Sequence, residues 1–284
     1  MFEIRKATKK QSKLRVLLEG ASGSGKTKSG LILIESIAKK YAVIDTERGS
    51  SELYSDAHDF DVLRLESPYT PERYIEAIIA VQAAGYDGVL IDSITHEWNG
   101  PGGCLEIQDK LGGRFQDWAK VTPRHQKFID TILGCNMHVV ATVRSKVDYS
   151  FDPTTKKVTK QGMAPQQRDG MDFEMTLVFA LNQAHMATAT KDRTNIFDGN
   201  QEHVIVPDTG KKILDWLNSG EKVPGEKELA EKMRAAKAEK HLINVWTKYQ
   251  SEIKKYPGLI KVKDEVKQSF KNNKPKPEEV NSHA

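Results

Sequence analysis

The 284-residue chain has only two cysteines, Cys104 and Cys135, far apart and without ligand-like spacing. That excludes a disulfide-built scaffold and suits reduced packing residues in a reducing compartment. No apolar run approaches the roughly 20 residues that span a bilayer, which excludes a membrane-embedded role. The opening string MFEIRKATKK has no apolar stretch of the kind a secretory leader needs, so the expected compartment is the cytoplasm. The eight histidines are scattered, and their spacing suggests no metal cluster. No internal repeat is present, which excludes solenoid architectures. An excess of one charge is missing too: the net charge is +4 and unevenly spread. Residues 221–284 hold 15 Lys/Arg against 10 Asp/Glu, leaving 28 against 29 in the rest. Nucleic-acid binding over the whole surface is thereby excluded, and any such binding must come from local patches.

What the chain does have is alternation. Residues 13–18 form a short apolar run ending at Gly20, then 27–40 carries Leu31, Ile34 and Ile37 at helical spacing. Strands are predicted at 41–45, 61–65, 88–92 and 138–143, with helices over 70–84 and from Thr122-Pro123 to 133. Strands alternating with helices predict an α/β core, a mostly parallel sheet covered on both faces. Between them lie a polar, Gly-rich stretch at 100–113 and a polar, basic loop at 144–170. Two further strands, 173–181 and 187–190, extend the sheet, and a short helix over 209–220 closes the core. The Pro224-Gly225 pair marks the expected boundary. Residues 1–223 read as the catalytic domain, 224–271 as a small helical C-terminal module, and 272–284 as a tail of disordered composition.

The chemistry begins at Gly20-Ala21-Ser22-Gly23-Ser24-Gly25-Lys26-Thr27, which satisfies G-x-x-x-x-G-K-[ST] between a predicted strand and a predicted helix. Glycines let consecutive backbone N–H groups curl around a β-phosphate, and the helix N-terminus adds its dipole. Lys26 is placed to reach the β- and γ-phosphates of ATP, and the Thr27 hydroxyl to ligate Mg²⁺. The apolar strand 89–92 ends in Asp92, an acid suited to hold the Mg²⁺ through a bound water. Ser93 follows, where many ring ATPases carry the water-activating Glu. The candidate base is therefore Glu47, just past the strand ending Val43-Ile44-Asp45, with Glu97 as the alternative.

Six strings extend the pattern: GASGSGKT, AVIDTERGS, LIDSITHEWNGPGG, HVVATVRSK, MAPQQRDGMDFE and TKDR. Over roughly residues 10–220 the chain resembles the phage and prophage P-loop ATPases of RecA-like fold found among recombination and single-strand annealing genes. The resemblance implies a RecA-like core, ATP and Mg²⁺ as cofactors, and a bacterial host's cytoplasm as the setting. It places Arg144 where RecA-like proteins carry a γ-phosphate sensor, although recombinases often have Gln there. Lys191 and Arg193, two apart and so pointing the same way, match the basic fingers that reach a neighbouring subunit's ATP; a charged hairpin edge is the plainer reading. Self-association into a filament or ring follows from the finger reading. The loops 97–121 and 144–170 stand where RecA-like proteins hold single-stranded DNA. The second holds six Lys/Arg against three Asp, and its candidate contacts are Lys146, Tyr149, Lys156, Lys157, Lys160 and Arg168, with Phe151. The first offers Trp98, Arg114, Phe115 and Trp118. Ordinary surface loops would have the same composition.

Four functions fit these residues. The leading one is an ATP-dependent, single-strand-binding recombinase or annealing mediator, with a single-strand-binding or annealing protein as a further partner. A ring-forming DNA translocase, a P-loop kinase using Lys191 and Arg193 as lid cations, and a nucleotide-switched binding protein are the others.

Overall fold

The computed structural model describes residues 6–151, 158–197, 199, 201–222, 224–254 and 256–272, with backbone only at 149–151, 158–161, 251 and 271–272. The chain divides into two compact units, Ser12–Ser219 and the pair of segments Met1–Gln11 and Gly220–Ala284.

The larger unit is built on a sheet whose strands run β1 (Arg15–Gly20), β2 (Tyr41–Asp45), β3 (Asp61–Arg64), β4 (Gly88–Asp92), β5 (His138–Phe151), β6 (Val158–Pro165), β7 (Leu177–Leu181) and β8 (Ala187–Asp192). Their spatial order is β3-β2-β4-β5-β1-β7-β8, with β6 paired to β5. Every pairing from β3 through β7 is parallel, whereas β7–β8 and β5–β6 are antiparallel. β2 and β4 are buried along their whole length, as expected of parallel strands covered on both faces.

Strand periodicity distributes the core between two layers. Leu17, Ile44, Val89, Ile91 and Val139 face one side, where helices α2 (Pro71–Ala83) and α5 (Trp118–Gly134) pack through Tyr74, Ile78, Phe128 and Ile132. Val16, Leu18, Val43, Leu90 and Val140 face the other, under α1 (Lys26–Ile37) and α7 (Pro207–Asn218). α2 starts as the sequence requires, with Thr70 capping the Arg73 N–H and Pro71 at the first helical position.

Several elements differ from expectation. The 144–170 loop is largely a β-hairpin: β5 continues to Phe151 and pairs with β6. Residues 144–148 alternate between exposed and half-buried, so they lack the apolar run that marks the core strands. α5 begins at Trp118, with Pro123 inside it rather than at its start. Two short helices occupy the polar stretch after β4, α3 (Thr95–Asn99) and α4 (Cys104–Lys110). The predicted strand from 173 starts at Leu177, after a single helical turn, α6 (Met171–Glu174).

In the smaller unit, α8 (Glu226–Arg234), α9 (Glu239–Lys248), α10 (Gln250–Ile253) and α11 (Pro257–Asn272) enclose a core of Leu229, Met233, Leu242, Ile253 and Leu259. The segment before residue 12 joins this unit. Lys10 bridges to Glu221 in a short strand contact, and its ammonium donates to Glu252 at 2.6 Å.

Candidate functional site

The glycine-rich turn leaves β1 at Gly20 and enters α1 at Lys26. Gly23 and Gly25 have φ of 81° and 85°, the left-handed region that a side chain disfavours. A Cβ on Gly25 would also lie 2.9 Å from the His185 ring nitrogen. No side chain caps the first turn of α1, so its amides point into the cleft. The Lys26 ammonium donates to the carbonyls of Gly20 and Ala21 at 2.9 and 2.7 Å. Burial pushes its pKa down, opposed by the Asp92 carboxylate.

Parallel pairing of β2 with β4 sets Asp45 beside Asp92 at the same end of the sheet. Asp92 accepts from the Thr27 hydroxyl at 2.6 Å and from the Thr142 hydroxyl at 2.5 Å. Burial raises its carboxyl pKa, and these two hydrogen bonds pull it back down. Asp45 folds the next turn: its carboxylate accepts from the backbone N–H groups of Glu47, Gly49 and Ser51. That turn aims Glu47 at the cleft. Its carboxylate accepts from the Ser93 hydroxyl at 3.0 Å and pairs with the Arg144 guanidinium. Arg144 is the last residue of β5 paired with β1, and its N–H donates to the Thr95 hydroxyl at 2.8 Å.

These groups line one cleft of about 850 Å³, the size of a small-molecule site. Lys26, Thr27, Glu47, Asp92 and Arg144 form its polar end. Ile32, Tyr54, His185 and the 204–207 segment supply an apolar part suited to a flat base. The β7–β8 turn closes one wall. Asn182 accepts from the N–H groups of Ala184 and Met186, and Gln183 donates to the Ser22 carbonyl at 3.1 Å.

Sequence reasoning missed Ser93, Thr142, Gln183 and His185. Each matters through contacts across the fold, and only the step from Asp92 to Ser93 left a local signal. Glu97, the alternative base, lies outside this cleft and is fully buried. It accepts from Cys104 Sγ and His125 Nδ1, both at 3.1 Å, and from Gln167 at 3.3 Å. Where no metal cluster was expected, Glu97, Cys104 and His125 do converge, brought together from three helices. Their polar hydrogens are already given to the carboxylate, which makes this a closed, internally satisfied knot.

Lys191 and Arg193 stand elsewhere. Gly20 pairs with Leu181, whereas Lys191 pairs with Val178 and Asp192 with Leu177, at the other end of β7. About 13 Å of strand separates the two ends. There Lys191 donates to the Asp172 carbonyl at 2.8 Å, and Arg193 to the Phe173 carbonyl at 2.8 Å. Of the candidate DNA contacts, Lys146 is exposed on β5. Arg168 follows β6, donates to Thr122 at 2.9 Å and stands 5.9 Å over the Trp118 ring. Tyr149 and Lys160 lie on the hairpin strands, where only the backbone is described; Lys156 and Lys157 lie outside the described residues.

A family model described as AAA domain matches residues 12–212, which is most of the chain and nearly all of the larger unit. The chain belongs to the AAA domain family. No curated protein matches it. Membership of this family supports ATP binding and hydrolysis of the P-loop kind in general. The donor set also fits the Mg²⁺ that accompanies such nucleotides, because Thr27 and Asp92 present hard oxygen ligands 2.6 Å apart. Among the described residues no helix is long and apolar enough to cross a membrane.

Proposed function

We propose that this AAA-domain protein is a magnesium-dependent ATPase that acts on single-stranded DNA as an assembly of several copies, in recombination or strand annealing of the phage type. The observation that carries the reading is the course of β5. A single strand passes from the core, between β1 and β4, through Arg144 in the nucleotide cleft and on into a segment, 145–170, that holds five more cations. One element thus joins the γ-phosphate end of the cleft to a surface suited to a polyanion.

Within the cleft, the α1 amides and Lys26 bind the β- and γ-phosphates. Thr27, with Asp92 through a water, would hold Mg²⁺, which would supply positive charge to the phosphate oxygens. Glu47 orients and polarises the attacking water. Arg144 is paired with Glu47 in the structure. A γ-phosphate competes for that guanidinium, so ATP draws Arg144 toward the phosphate and leaves Glu47 to Ser93 and the water.

Lys191 and Arg193 act on a neighbouring copy's ATP. Their distance along β7 from their own P-loop supports this and disfavours the kinase reading, in which lid cations must close over the same chain's phosphates.

The test is ATP hydrolysis by the purified full chain with and without single-stranded DNA. Stimulation by the DNA is expected. Hydrolysis indifferent to DNA refutes the DNA half of the reading, and phosphoryl transfer to a metabolite makes the protein a kinase.

A further inference from the structure

The larger unit has a second cleft of about 760 Å³, walled by α3, the start of α5 and the residues that follow β6. Its surfaces are flat. Trp98 and Trp118 stack with ring centroids 5.4 Å apart and planes 16° apart. The Arg168 guanidinium, held by Thr122, covers part of the Trp118 face. Phe115 stands at the rim with 88% of its surface exposed. With Trp98 and Trp118 it makes a contiguous aromatic patch at the mouth of the cleft, the kind of surface that marks a binding site. Arg168 and Asp169 are the charged residues of the lining, so the floor itself is close to neutral. β6 ends at Pro165, two residues before Gln167, Lys146 is exposed on its partner strand β5, and Asn99 donates to Gln166 at 3.0 Å to tie the two walls together.

A planar, aromatic, nearly neutral slot next to a segment rich in Lys and Arg matches a ligand with flat uncharged rings on a polyanionic backbone. We propose that this cleft is a nucleobase pocket, in which an unpaired base of the DNA strand seats against Trp118 and Phe115 beside Arg168. The inference rests on the single-strand reading above and deepens it.

Occupancy of the pocket is felt at the ATP site through short, buried links. Gln167, a wall residue, donates to the Ile94 carbonyl at 3.0 Å and to Glu97. Trp98 follows Glu97 on α3, which begins three residues after Asp92 and carries Thr95, the partner of the Arg144 N–H.

Two oligonucleotides of equal length and charge test the pocket on the wild-type full chain, one of deoxythymidine and one wholly abasic. Tryptophan emission and the anisotropy of a labelled strand are read with a non-hydrolysable ATP analogue present. The pocket requires the thymidine strand to quench emission and to bind about tenfold or more tighter than the abasic one. Phe115→Ala and Trp118→Ala should reduce that preference without changing the salt slope, because stacking releases no counterions. Trp118→Phe should restore it. Phe115 is too exposed for its loss to unfold the protein, so its variant reports on the cleft even if Trp118→Ala is unstable. Free thymidine monophosphate should quench weakly, since it lacks the adjoining phosphates; equal quenching would make the site one for free nucleotides and overturn the proposal. If both strands bind equally well with equal emission, the pocket is refuted while single-strand binding stands. If neither binds, both fall.

Discussion

Element order in the sequence favours Glu47 over Glu97 as the general base, and their surroundings separate the two further. Glu47 borders the cleft beside Ser93 and Arg144, whereas Glu97 is enclosed by Cys104, His125 and Gln167. Glu47→Gln should keep ATP binding and lower hydrolysis about 100-fold or more, measured as steady-state phosphate release. Glu97→Gln should instead lower the thermal midpoint, because a buried acceptor of several donors becomes partly a donor. The opposite assignment of effects would refute Glu47 as the base. Glu19, one residue before the P-loop, carries a different signal. Burial, aided by the Asp172 charge, raises its pKa from 4.5 to about 7 in the fold. A carboxyl raised in this way stabilises the native state below its unfolded pKa and loses that contribution as pH climbs through the folded value. The loss is at most about 3 kcal/mol by 1.36 kcal/mol per unit. Relative to Glu19→Gln, the wild type should therefore lose stability between pH 4.5 and 7, read by urea titrations across that range. Parallel curves for the two proteins would mean that Glu19 is not perturbed.

The hairpin shows why some elements are legible in a sequence and others are not. Residues 20–27 declare themselves because the phosphate turn is contiguous, and 41–45 and 88–92 because strands buried on both faces are wholly apolar. Arg144 to Asp148 form an equally real part of β5 yet give no apolar run, since each residue there keeps some exposure to water. α3 is a single turn whose residues Thr95, His96 and Glu97 serve partners far along the chain, and nothing local announces it. Thr122-Pro123 misled in the other direction: a Thr-Pro pair opens α2, but here the proline sits inside α5. In the hairpin segment, replacing Lys156, Lys157 and Lys160 with Ala should weaken single-strand binding. For every phosphate that a lysine no longer neutralises, the log–log salt slope should fall by about 0.7 in anisotropy titrations. An unchanged slope would exclude these lysines from the DNA surface.

In the assembly proposed above, each ATP site would take its P-loop from one copy and its fingers from another. Lys191→Ala with Arg193→Ala should leave ATP binding largely intact while removing turnover. Lys26→Ala should remove turnover because the phosphate charge is no longer neutralised. Mixed together, the two inactive proteins should regain hydrolysis, because an intact P-loop meets intact fingers across some interfaces. Full activity of the Lys191/Arg193 variant alone would refute the fingers, and inactivity without rescue despite subunit exchange would confine them to their own chain. The course of β5 has one more consequence for such an assembly. The strand pairs with β4 up to Ala141, with β1 up to Arg144 and with β6 from Ser145 onward. Arg144 therefore stands midway along β5, with six residues on the core side and seven on the hairpin side. On the single-strand reading, a pull on the hairpin side would reach this residue, whose own amide is held by Thr95. Tension in a bound strand would thus be converted, within one residue, into a tighter or looser grip on Glu47, and the rate of fuel consumption would report the load.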